Sequence, residues 1–76
     1  MELTTNEKLV LKKIIVEAME EVGLLRGKYD KLNGNPHFIY GINTVMEYFA
    51  YQVNDDFGEE VSNIFMKNMI KGEEEK

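Results

Sequence analysis

Side chains able to do chemistry are few in this chain, and their spacing suits contact better than catalysis. There is one histidine, His37, and no cysteine. Thiol nucleophiles, disulfides and thiolate metal sites are therefore excluded, and a closed zinc site held by protein ligands alone is not expected. Glu17, Glu20 and Glu21 bring three carboxylates onto one stretch. No histidine stands at the Glu-x-x-His spacing that a di-metal helical site needs, so they read as a solvated helix face. His37 and Glu47 fail as an acid–base pair, because ten residues along a helix is about 15 Å. The run Gly23-Leu24-Leu25-Arg26-Gly27-Lys28-Tyr29 has one residue too few between its glycines for a phosphate loop. Tyr29 also stands where a Ser or Thr would meet the metal, and no strand precedes the run. Tyr29 to Gly34 has the glycine of a calcium loop without the oxygen ligands before it. The sequence predicts no enzyme, no cofactor and no metal.

Aromatic residues give a better lead. Six of the eight lie between Phe38 and Phe57. Tyr40, Thr44, Glu47 and Tyr51 recur at 4-3-4 spacing, with His37 at the head of the same stripe. Tyrosine joins a large apolar body to a polar tip, which suits an interface hot spot and equally the rim of a core. His37, Tyr40, Thr44, Glu47 and Tyr51 are accordingly the candidate partner-binding face, with the core rim as the alternative.

The elements that would position this face follow from apolar periodicity. Leu11, Ile15, Ala18, Val22, Leu25, Tyr29 and Leu32 repeat at 4-3-4 spacing, the seam of a helix laid against a partner helix. Thr4-Thr5-Asn6-Glu7 reads as a capping box at its start. The seam keeps phase across Gly23 and Gly27, which predicts one continuous helix from Thr5 to Asn33. Gly34 then fits a left-handed helix end, Asn35 the next cap and Pro36 a first helical position. A second helix, Pro36 to Val53, should run back antiparallel, burying Phe38, Ile42, Val45, Phe49 and either Gln52 or Val53. Asp56, with Glu59 three residues on, is the expected cap of a third helix with Phe57, Val61, Ile64, Phe65 and Met69 inward. Gly72 is expected to end it, leaving residues 72–76 as an acidic flexible tail beyond a single helical domain, residues 1–71. The fold class is all-α: a long N-terminal helix in an antiparallel hairpin with the second, plus a third helix. Lys12, Lys13, Glu17, Glu20 and Glu21 should face outward.

Length sets the last expectation. A chain of 76 residues without disulfide or metal has a thin margin of stability. The first helix would span roughly 43 Å and the second about 27 Å. Leu9, Val10, Leu11, Ile14 and Ile15 then need another cover, either the third helix or a second chain. Val10, Leu11, Ile14 and Ile15 are the candidate self-association residues of a homodimer. A net charge of −5, from nine basic and fourteen acidic residues, argues against direct nucleic-acid binding and against an anionic membrane surface. No apolar stretch approaches the ~18 residues of a membrane span, and a cytoplasmic location is the default. The function expected is a small helical protein-interaction module. The alternative is an acidic inhibitor or nucleic-acid mimic using Glu17–Glu21, Asp55–Glu60 and Glu73–Glu75.

Overall fold

The computed structural model describes residues 2–29 and 36–75, with the backbone alone for 36–40. Three helices pack against one another: α1 (Thr5–Lys28), α2 (Pro36–Val53) and α3 (Asp55–Glu74). The expected Asn33–Asn35 turn, with Gly34, lies outside the described residues.

The start of α1 follows the capping box. Thr4 N–H donates to Glu7 Oε1 at 2.8 Å, and Glu7 N–H donates to Thr4 Oγ1 at 3.1 Å. The Thr4 amide, and after it the Thr4 hydroxyl, hold the Glu7 carboxyl below its ordinary pKa. The helix ends at Lys28, short of the expected Asn33, because Tyr29 turns extended at φ −122°, ψ 105°.

The buried line of α1 is also not the expected seam. Ile15, Met19, Gly23 and Gly27 are buried at a constant spacing of four, whereas Leu25 and Tyr29 are exposed. The cause is the neighbour. The largest interface joins α1 to α3, and there the two backbones nearly touch. A Cβ on Gly23 would stand 2.6 Å from Phe65 O, and one on Gly27 would strike Met69 O. From the other side, a Cβ on Gly72 would strike Leu24 O and lie 3.2 Å from Gly27 Cα. Gly72 therefore does not end α3. It is buried within it, and the helix runs on to Glu74.

The contacts also fix direction. Lys12 Nζ sits 5.3 Å from the centre of the Phe57 ring, Gly23 meets Phe65 and Asn68, and Lys28 pairs with Glu75 at 3.3 Å. Residue numbers rise together, so α1 and α3 run parallel. Lys12 is exposed, as expected, and from there its charge reaches over the buried Phe57 ring.

A single residue, Asn54, links α2 to α3. It caps α3 in place of the expected Asp56, its Oδ1 accepting from Phe57 N–H at 2.7 Å. Asp55 and Asp56 fill the first turn, where negative charge meets the positive end of the helix dipole. The core comprises Ile15, Met19, Ala50, Val53, Phe57, Val61 and Phe65. The α3 face is as expected, with Ile64 and Met69 half-buried beside it. On α2, Ile42, Phe49 and Val53 pack inward as expected and Met46 and Ala50 join them, whereas Val45 stays 49% exposed. Phe38 lies outside the described side chains.

Two outcomes test this account. Gly27→Ala should destabilise by about 1–3 kcal/mol in urea unfolding, because overpacking against a backbone oxygen outweighs the gain in helix propensity. A variant as stable as the parent would refute the close crossing. Asn54→Ala should cost about 1 kcal/mol, whereas Asp56→Ala should cost clearly less if Asn54 is the cap.

Candidate functional site

Two surface features are built by these elements. The first is an open, mostly apolar groove of about 430 Å³ lined by Leu3, Asn6, Glu7, Val10, Leu11, Ile14 and Phe49. It exists because Val10 and Ile14 lie along the side of α1 turned away from Gly23 and Gly27, which α3 occupies, with Leu3 ahead of the helix beside them. Phe49 of α2 supplies one wall, and Tyr48 leans on it edge-to-face with ring centres 5.4 Å apart. Val10 and Ile14 are 59% and 56% exposed, and Leu9 beside them is also exposed. Isolated apolar side chains on a surface are ordinary, but a contiguous set marks a contact site.

The four candidate self-association residues thus divide. Val10 and Ile14 are open to solvent and Leu11 is half-buried against the core. Ile15, at 1% exposure, lies inside the chain's own core, because α3 covers it. The missing signal was direction: a wide apolar stripe tells that two neighbours exist without telling which residues each one takes.

The second feature is the stripe along α2. His37 and Tyr40 belong to α2, and their side chains lie outside those described. Thr44, Glu47 and Tyr51 are all exposed and, at 3-4 spacing, share one side of the helix. Tyr51 packs its ring on the backbone of Gly58, so closely that a Cβ there would overlap Tyr51 Cδ1. One edge of the ring is therefore fixed and the other is free. Desolvation against α3 raises the Tyr51 phenol pKa, and the negative charges of Glu59, Glu47 and Asp55 raise it further. What this arrangement offers chemically is a neutral hydroxyl held among carboxylates: a hydrogen-bond donor, not a nucleophile.

A further cleft of about 410 Å³ lies between α1 and α3, lined by Val16, Glu20, Ile64, Lys67, Asn68 and Lys71. Asn68 spends its Nδ2 on Ile64 O at 2.8 Å, which leaves the two lysines and Glu20 as the charged rim. Among the described residues no group of three or more His, Cys, Asp or Glu side chains is placed to hold a metal. No described helix is long and apolar enough to cross a membrane. Comparison with protein-family models, with curated proteins and with solved structures finds no match.

The Tyr51 environment yields a pH prediction. A raised folded-state pKa favours the protonated phenol in the folded chain. That stabilisation is complete below the unfolded value of about 10 and is lost as pH rises through the folded value. Tyr51→Phe should therefore remove a phenol that titrates above the ordinary range from an ultraviolet titration and flatten the alkaline fall in stability. If the phenol lost from the curve is one that titrates near 10, Tyr51 is an ordinary surface tyrosine.

Proposed function

We propose that this chain is a small helical protein-interaction module, a homodimer that binds a protein partner through helical faces. The observation carrying this reading is the groove of Leu3, Val10, Leu11, Ile14 and Phe49, an apolar surface that the chain's own three helices leave open. Burying each large apolar side chain is worth roughly 1.5–3 kcal/mol, so covering several at once supplies the driving force for association. The N-terminal half of α1, with α2 beside it, is the self-association surface. Tyr51, Thr44 and Glu47 present a second, more polar face, suited to a protein partner through one anchored aromatic and adjacent acceptors. The two faces lie on different sides of α2, so both can be occupied together.

The alternative, an acidic inhibitor or nucleic-acid mimic, needs a continuous negative surface. Lys67 and Lys71 stand beside Glu20 around one cleft, and Lys28 is paired with Glu75, so the acidic clusters are interrupted by cations. Nothing in the geometry favours that reading over contact through apolar faces.

Sedimentation equilibrium of the wild type against the double variant Val10→Glu, Ile14→Glu tests the proposal. Both side chains are mostly exposed, so the variant should keep its helical circular dichroism. The wild type should sediment as a dimer, and the variant should dissociate with a loss of about 2 kcal/mol or more. A wild type that stays monomeric into the millimolar range would end the homodimer reading. Leu11→Glu is the poorer probe, since half of that side chain packs against the core.

A further inference from the structure

The net charge of this chain is not spread evenly. Between Lys31 and Lys67 there is no lysine or arginine, and there are five carboxylates: Glu47, Asp55, Asp56, Glu59 and Glu60. The other nine acidic residues are matched by nine basic ones, so the whole net charge of −5 belongs to this one stretch. Elsewhere the acidic clusters have cations beside them. Lys13 stands four residues from Glu17 on α1, Glu20 shares a cleft with Lys67 and Lys71, and Glu75 pairs with Lys28. Among the described residues, Glu47, Asp55 and Glu59 form no ion pair.

The fold gathers three of the five around one ring. Glu47 and Tyr51 stand at i and i+4 on α2, and Asp55, Gly58 and Glu59 at i, i+3 and i+4 on α3. Tyr51 joins the two helices by packing on Gly58. Carboxylates therefore flank the ring from both helices, and all three are exposed. The phenol feels them: after desolvation, the charges of Glu59, Glu47 and Asp55 raise its pKa, in that order. Any side chain at position 58 would displace the ring, so glycine there seats an aromatic that is still 40% exposed.

The ring supplies what carboxylates alone do not. An exposed glutamate is satisfied by water and loses side-chain freedom when it binds. A ring already held against Gly58 has little freedom left to lose, and its π face attracts a cation. One group uses both features. A guanidinium is flat, stacks on an aromatic face, and donates its N–H groups to carboxylates in pairs.

We infer that the Tyr51 ring, with Glu47, Asp55 and Glu59 around it, receives an arginine side chain from a basic segment of a protein partner. This rests on the partner-face reading above and names the chemistry of that partner. Charge complementarity selects the occupant. A second copy, a nucleic acid or an anionic membrane would bring negative charge to the stretch where it is already unbalanced. A purely apolar partner would strip water from three carboxylates and offer them nothing in return. One acidic patch is too small for the continuous surface of a nucleic-acid mimic, but it is enough for one basic segment.

The probe is an acetylated, amidated tetra-arginine peptide, titrated into the isotope-labelled full chain at physiological ionic strength and followed by amide chemical shifts. Shifts should move at Glu47, Tyr51, Gly58 and Glu59 and stay still at Glu17–Glu21 and Glu73–Glu75, which serve as internal controls. Glu47→Gln with Glu59→Gln should weaken binding by about threefold or more. Tyr51→Ala should weaken it by about the same factor, whereas Tyr51→Phe should keep it, because the ring rather than the hydroxyl meets the cation. A tetra-lysine peptide should bind more weakly. Shifts spread equally over all three acidic clusters overturn the inference, as does tetra-lysine binding as tight as tetra-arginine. Calcium chloride that reproduces the same shifts overturns it too, by assigning the carboxylates to a metal ion. If Tyr51→Ala fails to fold, the glutamine pair and the shift map still decide, because Glu47 and Glu59 are exposed. A protein partner bound through Thr44, Glu47 and Tyr51 but indifferent to added tetra-arginine discards the arginine and keeps the partner-face reading. The homodimer is read separately, by sedimentation of Val10→Glu, Ile14→Glu, so either can fail while the other stands.

Discussion

The arrangement turns on the near-contact of two backbones, α1 and α3, at Gly23, Gly27 and Gly72. Any side chain at these places would hold the helices apart and open the core behind them. With glycine there, Met19, Phe65 and Val61 close together with almost no exposed surface. The arrangement costs something: three glycines inside helices each sacrifice roughly 0.8–1.0 kcal/mol of helix propensity relative to alanine. Close dispersion contact along the crossing offsets that loss. Because α1 gives its glycine-bearing side to α3, its opposite side, with Val10 and Ile14, is left largely open, with Phe49 of α2 along one edge.

That choice of neighbour explains which parts of the fold could be read from sequence. The ends defined by local hydrogen bonds were legible: the Thr4–Glu7 box, Pro36 at the head of α2 and the last turn at Val53 all act within a few residues. The α3 face was legible too, because Phe57, Val61, Ile64, Phe65 and Met69 form a plain apolar stripe. The buried line of α1 was not. Periodicity counts apolar side chains, and a contact made by glycines is marked by their absence. Gly23, Gly27 and Gly72 therefore looked like interruptions or a stop, though they are the tightest contacts of the fold. The cap of α3 failed for a different reason: Asn54, Asp55 and Asp56 are all good capping residues in a row, and only the backbone reveals which one turns extended.

The candidate site was legible in the same uneven way. Val10 and Ile14 follow from a stripe too wide for one neighbour, and both are exposed as that width implied. Ile15 differs from Ile14 by a single step of 100° around the helix, and this step separates core from surface. Thr44, Glu47 and Tyr51 share a side of α2 by spacing alone, but the seating of Tyr51 on Gly58 joins residues from two helices and has no signature within either.

Charge and shape then bear on the same element. Lysines and glutamates cover much of the exposed surface of α1 and α3, with Leu9, Val10, Ile14, Met66 and Ile70 left open among them. Helix α2 carries Glu47 as its one charge and buries one side, with Ala50 and Val53 in the core and Ile42, Met46 and Phe49 packed against it. Its two open sides differ in kind. Tyr51, Thr44 and Glu47 combine an anchored ring with polar groups that water can satisfy, so that side is tolerable in the free chain. Gly41, Val45 and Tyr48 carry one hydroxyl among apolar surface. Of the two sides, the second is the more costly to leave in water.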